Sequence, residues 1–310
     1  MNHISAKQNE AIAIKQLAAQ RALYSRAKAL FAVQLTLNVP VLIILAVVAL
    51  ALDKEWWGLP KIDLAWVIGL AGAACLLLDA LVWNILIIRL RDHAARIQQA
   101  FDAEVLEIPN NEILYGKPAD REKVEVWSEG YPVDKLVDLK DWYRTEVAVL
   151  PMDAARLVCQ RANCWWDMDV RRRYNWFVGI SVALFMIAMI GIAIALDCST
   201  KTVFGLIVAP ILPFLTMAIK LIQDNNDAIN RLQSMKDAIE SMWDRVIAKT
   251  VSDAELKEFS QSVQAGIFMN RKSNPLIFDW VHNRIRPKHE KTLSRTTAAY
   301  VSAYLVSRQL

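Results

Sequence analysis

Four long apolar runs, arranged as two closely spaced pairs, dominate the pattern of hydrophobic and polar positions along the chain. The third run, residues 176–196, contains no charged side chain, and after a short polar turn the fourth run covers residues 203–219. Runs of this length match a helix that crosses a hydrocarbon layer of about 30 Å. Because a helix satisfies its backbone N–H and C=O groups within its own segment, this pair predicts a helical hairpin in a membrane.

The first pair of runs predicts a second hairpin of the same kind. Its arms are residues 29–52 and 64–88, and a short outer loop, residues 53–63, joins them. Pro40 lies inside the first arm, where it removes a backbone donor and predicts a kink. Trp56 and Trp57 in the loop are typical of side chains at the boundary between lipid and water.

Helical patterns continue from both hairpins into polar sequence. Residues 5–28 contain no Gly or Pro and run straight into the first arm, and the second arm continues into an apolar stripe at Ile97, Phe101 and Ile108. A helical pattern that begins after Pro151 enters the third run, and the fourth run continues likewise. The predicted fold class is therefore an all-α integral membrane protein, with four transmembrane helices as two hairpins and long helices extending into a cytosolic helical bundle.

These patterns divide the chain into five predicted segments. They are an N-terminal cytosolic helix, a first transmembrane hairpin, a cytosolic central segment, a second transmembrane hairpin and a C-terminal cytosolic helical segment. Their boundaries are 1–28, 29–88, 89–175, 176–219 and 220–310.

The polar segments contain further local signals. Residues 109–150 are rich in Pro and Gly and look irregular, apart from a candidate helix at 136–149. Ser252 and Glu255 form a capping box that predicts a helix start, and the pair Asn274-Pro275 predicts its end. A last helix is expected from Asp279, with a loose basic stretch beyond Pro287.

The distribution of charge orients these segments. The 310 residues are 55% hydrophobic and 22% charged, which is too apolar for an ordinary soluble domain and too charged for a protein made of membrane spans alone. Basic residues cluster before the first and third runs and after the second and fourth, while the two short connecting loops hold few. The positive-inside rule therefore places both termini and the central segment in the cytoplasm.

Asp79 is the one acidic residue inside an apolar run. A carboxylate at membrane depth is costly unless it faces water, is protonated or is paired, so it favours a residue that lines or gates a pore. The alternative is a helix-to-helix hydrogen bond to Gln34 or Asn38, which share one face of the neighbouring run. Pro210 and Pro213 predict a bend or a local unwinding of the fourth run and complete the candidate pore or gating set.

The densest polar cluster precedes the third run. Arginine forks a phosphate group and tryptophan stacks on a base, so arginines beside aromatic residues suit an anionic ligand that contains bases. The alternative is a membrane stop signal with an interfacial belt of tryptophans. The candidate ligand-binding residues are Arg161, Asn163, Asp167, Arg172 and Arg173.

Enzyme motifs are missing from the sequence. There is no phosphate-binding glycine loop, no GxSxG or HExxH motif, and the four histidines are scattered. The four cysteines include no CxxC pair. We therefore expect no catalytic residues, no metal site and no cofactor.

Short motifs in a characteristic order carry a family resemblance. The motifs are Gln20 to Lys28, Trp83-Asn84, Ala94 to Gln98, Phe101-Asp102, Lys140 to Tyr143, Cys159 to Asn163, Trp166-Asp167, Arg172 to Tyr174, Ile267-Phe268, Arg271 and Asp279-Trp280. With these motifs and the two-plus-two arrangement of apolar runs, the chain resembles the SMODS-associated four-transmembrane (S-4TM) effectors of CBASS-type anti-phage systems.

The resemblance implies a function. Such effectors are expected to form pores in the bacterial inner membrane, as multi-pass homo-oligomers, when a partner nucleotidyltransferase makes a cyclic di- or oligonucleotide. No nucleic acid polymer is expected as a partner. Two alternatives are a non-conducting membrane scaffold that recruits a protein partner and an ordinary ion channel.

Overall fold

The structure is a computed structural model that describes residues 2–53, 58, 62, 64–195 and 209–309, and within these ranges it contains helices and no strand. The all-helical prediction is therefore confirmed for the described residues. Most of the predicted outer loop, with Trp56 and Trp57, lies outside them, and so does the polar turn at residues 197–202.

The chain divides into two compact units. The bundle unit comprises Met1–Arg26, Arg89–Arg172 and Asn226–Leu310, and the apolar unit comprises Ala27–Ile88 and Arg173–Asn225.

The N-terminal third is built from long helices interrupted by two π-helical turns. The expected unbroken helix over residues 5–28 is wrong at its start, because the chain turns at residues 8–10. There the Gln8 side chain donates to the Tyr143 carbonyl at 3.1 Å and accepts from the Tyr143 N–H at 2.7 Å. The elements are α1 (Ile4–Lys7), α2 (Ala11–Thr36), a π turn (Leu37–Val41), α3 (Leu42–Asp53), α4 (Ala65–Leu78), a second π turn (Asp79–Trp83) and α5 (Asn84–Val105).

The middle of the bundle unit is made of short elements. The expected helix over 136–149 is wrong, because Asp141 takes a positive φ of 51° that no regular helix contains. Asn9 holds this conformation, since its side chain accepts from the Asp141 N–H and donates to the Asp141 carboxylate. The elements are α6 (Glu112–Tyr115), α7 (Arg121–Ser128) and two 3₁₀ segments (Val133–Leu139 and Thr145–Val149).

Four helices complete the fold. The Ser252 hydroxyl accepts from the Glu255 N–H at 3.2 Å, and the following helix ends before Asn274, so both of these boundary predictions are confirmed. The elements are α8 (Met152–Ala195), α9 (Ala209–Ile247), α10 (Asp253–Ser273) and α11 (Asp279–Gln309).

The expected loose C-terminus is wrong. Helix α11 runs through Pro287, and a stripe that includes His289, Leu293, Thr297 and Val301 is buried along it. The sequence pattern missed this stripe because two of these four residues are polar.

Helices α2, α5, α8 and α9 each contain a unit boundary and continue through it. The boundaries fall at Arg26/Ala27, Ile88/Arg89, Arg172/Arg173 and Asn225/Asn226. Pro210 and Pro213 lie in the first two turns of α9, which is helical through both, so the predicted local unwinding is not found there.

The two units differ in what they bury. The core of the bundle unit includes Phe101, Leu157, Ile239 and Ile267, each at most 4% exposed. In the apolar unit, large side chains such as Leu184 and Ile194 are exposed by 62% and 75%. Among the described residues, the helices Trp66–Val105 and Met152–Ala195 are long and apolar enough to cross a membrane. The arrangement of four spans in two hairpins stays a prediction.

Candidate functional site

In the apolar unit, the Asp79 carboxylate accepts a short hydrogen bond from the Asn38 side-chain amide. Asn38 lies in the first π turn and Asp79 begins the second. A π turn holds one residue more than an α turn and is frequently found at functional sites. This contact is the helix-to-helix bond that the sequence left open as the alternative to a pore-lining role.

A second polar contact lies beside the first. The buried side chain of Gln34 donates to the Asn84 side-chain oxygen at 3.4 Å. Gln34 and Asn38 are one helical turn apart, so their partners Asn84 and Asp79 form two rungs between the same helical segments. Side-chain hydrogen bonds of this kind between apolar helices contribute roughly 0.6 kcal/mol each. Such small energies suit a contact that can open.

In the bundle unit, the Arg161 side chain already has an ion-pair partner and an aromatic partner within the protein. Its guanidinium lies 2.7 Å from the Glu240 carboxylate and stacks over the Tyr300 ring at 4.8 Å. Lys236 joins Glu240 from the same helix at 2.9 Å. Hydrogen bonds from Lys236 and Arg161 lower the pKa of Glu240 although burial raises it. This arginine therefore already has a carboxylate partner.

The contacts described for three of the other predicted ligand residues are with partners other than those of Arg161. Asn163 donates to the Tyr143 hydroxyl at 3.2 Å, and Asp167 pairs with Arg171 at 3.1 Å. Arg172 and Arg173 are exposed, and Arg172 donates to the Gln233 side chain.

A polar network of the bundle unit surrounds Asp102, which is completely buried. Its carboxylate accepts from the Tyr143 hydroxyl at 2.6 Å and from the Gln264 amide at 2.8 Å, and it forms an ion pair with Arg271. Gln264 also donates to Gln99 at 2.8 Å. The network thus links α5, the segment around Tyr143 and α10.

Burial and charge set the protonation states in this network. Desolvation acts to lower the pKa of Arg271, but the Asp102 charge outweighs it and the pKa lies above its usual value. Burial, the Asp102 charge and the hydrogen bond to Asp102 raise the pKa of Tyr143 well above its usual range, so the phenol stays protonated and donates. The ion pair and the phenol thus stabilise the buried carboxylate by hydrogen bonding.

Sequence reasoning did not select this network as a site. One signal was available, because Asp102 lies in the same stretch of α5 as the apolar stripe of Ile97 and Phe101, where a polar residue needs a partner. The partners Arg271 and Gln264 lie more than 160 residues away, and nothing local points to them. Among the described residues, no group of three or more His, Cys, Asp or Glu side chains is arranged to hold a metal.

Comparison with known proteins identifies a family and a relative of this chain. A probable CBASS effector molecule from Bacillus cereus (strain VD146) is 21% identical over 191 residues, a match that covers 62% of this chain and 63% of the relative's length. No solved structure matches the chain. The sequence profile of the SMODS-associating 4TM effector domain matches residues 2–300. Because this match covers nearly the whole sequence, the protein belongs to the SMODS-associating 4TM effector family.

Proposed function

We propose that the protein is an anti-phage effector that forms an oligomeric pore in the bacterial inner membrane when it binds a cyclic oligonucleotide. The messenger would come from a partner nucleotidyltransferase, and the resulting leak would stop growth of the infected cell. The family match over residues 2–300 carries the defence role. The similarity to a probable CBASS effector molecule supports the same role.

The proposed topology has four membrane spans in two hairpins, with both termini in the cytoplasm. It is supported by the two long apolar helices. In the most apolar stretch of each helix, only 6% of the residues are buried inside the protein. It is also supported by the excess of basic residues in the polar segments relative to the short connecting loops.

The proposed gating requires a physical link between ligand and pore. Helices α2, α5, α8 and α9 continue from the bundle unit into the apolar unit. A ligand that changes the packing of these helices in the bundle unit therefore acts on helices that continue into the apolar unit. Continuity alone gives no gating, because the ligand must bind the open arrangement more tightly than the closed one. Asp79, with its single amide partner, is the proposed gating residue, together with Asn38, Gln34, Pro210 and Pro213.

Leakage from liposomes tests this function. The purified full chain is reconstituted into liposomes that contain a self-quenched dye, and a panel of cyclic di- and trinucleotides is added outside. We expect at least one cyclic nucleotide to increase dye release, while the linear form of the same nucleotide does not. If no member of the panel increases release, the pore is not gated by such a messenger, and the non-conducting scaffold becomes the better explanation.

A further inference from the structure

Three arginines from three long helices converge on one corner of the backbone in the bundle unit. The corner is the pair Asn274-Pro275, which follows α10. Arg91 of α5 donates to the Asn274 carbonyl at 3.0 Å, and Arg171 of α8 donates to the Pro275 carbonyl at 3.1 Å. Arg231 of α9 donates to the Asn274 side-chain oxygen at 2.9 Å. Three guanidinium groups therefore meet at two successive residues, which we call the arginine corner.

The positive charge at the arginine corner is only partly neutralised. Arg171 has Asp167 as a partner at 3.1 Å. Arg91 and Arg231 form no ion pair with a carboxylate of the described residues, and the oxygens to which they donate are uncharged carbonyl and amide oxygens. Two guanidinium charges held by neutral acceptors leave the corner with an excess of positive charge.

Two hydrogen-bond donors at the same corner are buried without an acceptor. They are Arg91 Nε and Asn274 Nδ2, both shielded from water and unpartnered within the described part of the chain. Asn274 is only 3% exposed. A buried donor with no acceptor costs about 1–3 kcal/mol, so such groups normally have a protein or water partner, and two unpartnered donors at one place leave room for an acceptor such as a water or an anion.

A neighbouring tyrosine lies in the same positive environment. The Tyr24 hydroxyl lies 3.5 Å from the Arg271 carbonyl oxygen. Burial raises the pKa of Tyr24 to about 12, with a further contribution from the charge of Asp167, while the charges of Arg271, Arg91 and Arg171 act to lower it. Tyr24 therefore stays a neutral phenol that adds no negative charge to the corner.

We propose that the arginine corner binds a phosphodiester group, with the charges of Arg91 and Arg231 and the amide of Asn274 holding its oxygens. A phosphodiester supplies the one negative charge and the several acceptor oxygens that the unpartnered donors lack. The planar guanidinium group forks phosphate oxygens, which a lysine cannot do. The arginine corner does not include Arg161, one of the arginines selected from the sequence, because the Arg161 guanidinium already pairs with Glu240.

The position of the corner along the helices gives the site a regulatory meaning, and this part rests on the function proposed above. Arg91, Arg171 and Arg231 lie within five residues of the points where their helices pass into the apolar unit. An anion held by Arg91 and Arg231 would fix the packing of α5 and α9, which both continue beyond the boundary. Two kinds of molecule contain a phosphodiester group of this kind: a soluble cyclic oligonucleotide and a phospholipid with its headgroup.

The test uses the full chain purified in dodecyl maltoside, a detergent without phosphate. Thermal unfolding is followed while either cyclic di- and trinucleotides or dioctanoyl phosphatidylglycerol is added, with sodium chloride at matched ionic strength as the reference. We expect one of the two sources to raise the unfolding temperature in a saturable way. A response to nucleotides alone identifies the messenger as the source, a response to the lipid alone identifies the headgroup, and either supports the site.

Variants assign the response to the corner. We expect Arg91→Gln and Arg231→Gln each to weaken the apparent affinity at least tenfold, whereas Arg308→Gln, which changes an arginine stacked on Tyr304 elsewhere in the bundle unit, leaves it unchanged. Should a Gln variant fail to fold, Arg91→Lys and Arg231→Lys keep the charge but lose the fork, and a severalfold loss is expected. The site is disproved if neither source acts beyond chloride, or if both Arg91 and Arg231 variants bind as the wild type does. Failure of the proposed pore would appear separately, as a phosphate response without dye release.

Discussion

Two buried or half-buried carboxylates, one in each unit, occupy opposite chemical situations. Asp102 in the bundle unit is completely buried and has an arginine, a phenol and an amide as partners. Asp79 in the apolar unit is half-exposed within the chain and has one amide partner. The same functional group thus has three hydrogen-bonding partners in one unit, and among the described residues it has one in the other. The comparison indicates that Asp102 stabilises the fold, whereas Asp79 remains available for another role.

The largest expected effect comes from Asp102→Ala. This change leaves the Arg271 charge buried without its partner and removes the acceptor of Tyr143 and Gln264, so we expect a loss of about 3–5 kcal/mol in the free energy of unfolding. Denaturant unfolding of the full chain in detergent measures it. The matched control is Glu125→Ala, which breaks the exposed pair with Lys15 and should cost less than about 1 kcal/mol. An equal loss in the two variants would show that the buried network is not a main source of stability.

A smaller effect on the free energy of unfolding is expected from Asp79→Leu. It removes one hydrogen bond between apolar helices, so we expect a stability loss of roughly 0.6 kcal/mol, far below that of Asp102→Ala. Dye release from liposomes should change clearly, because the carboxylate is proposed to act in gating. Asn84→Leu is the control, since it breaks the neighbouring rung to Gln34 without removing a charge. Unchanged release in Asp79→Leu would favour the non-conducting scaffold, and a loss of several kcal/mol would place Asp79 in the same structural class as Asp102.

The smallest effect concerns Glu240, whose side chain is 32% exposed. Its folded-state pKa is lowered by Lys236 and Arg161 from the ordinary value of 4.5, so its contribution to stability is complete above about pH 4.5 and is lost as the pH falls through the lowered value. We expect the difference in unfolding temperature between the wild type and Glu240→Gln to be constant at neutral pH and to shrink below pH 4.5. A constant difference down to pH 3 would contradict the ion pair.

The long helices were predictable because their signals are local. The uncharged run at 176–196 and the uninterrupted helical pattern after Pro151 are enough to predict α8, and the capping box at Ser252 marks the start of α10. The sites were less predictable, because they depend on distant partners. Asn9 holds the positive φ of Asp141 from 132 residues away, and Arg271 reaches Asp102 from 169 residues away. No pattern within one helix contains these pairings.

The two π turns have a consequence for how the chain can vary in length. Each adds one residue to an otherwise regular α-helix, and one residue corresponds to about 100° of rotation around the helix axis. Gln34 and Asn38 share a face even in a plain α-helix, whereas their partners Asn84 and Asp79 would lie about 140° apart in one. The second π turn, Asp79–Trp83, takes up the extra residue and keeps both partners on one side of the helix. A chain with one residue deleted inside this turn would keep both contacts in a plain α-helix.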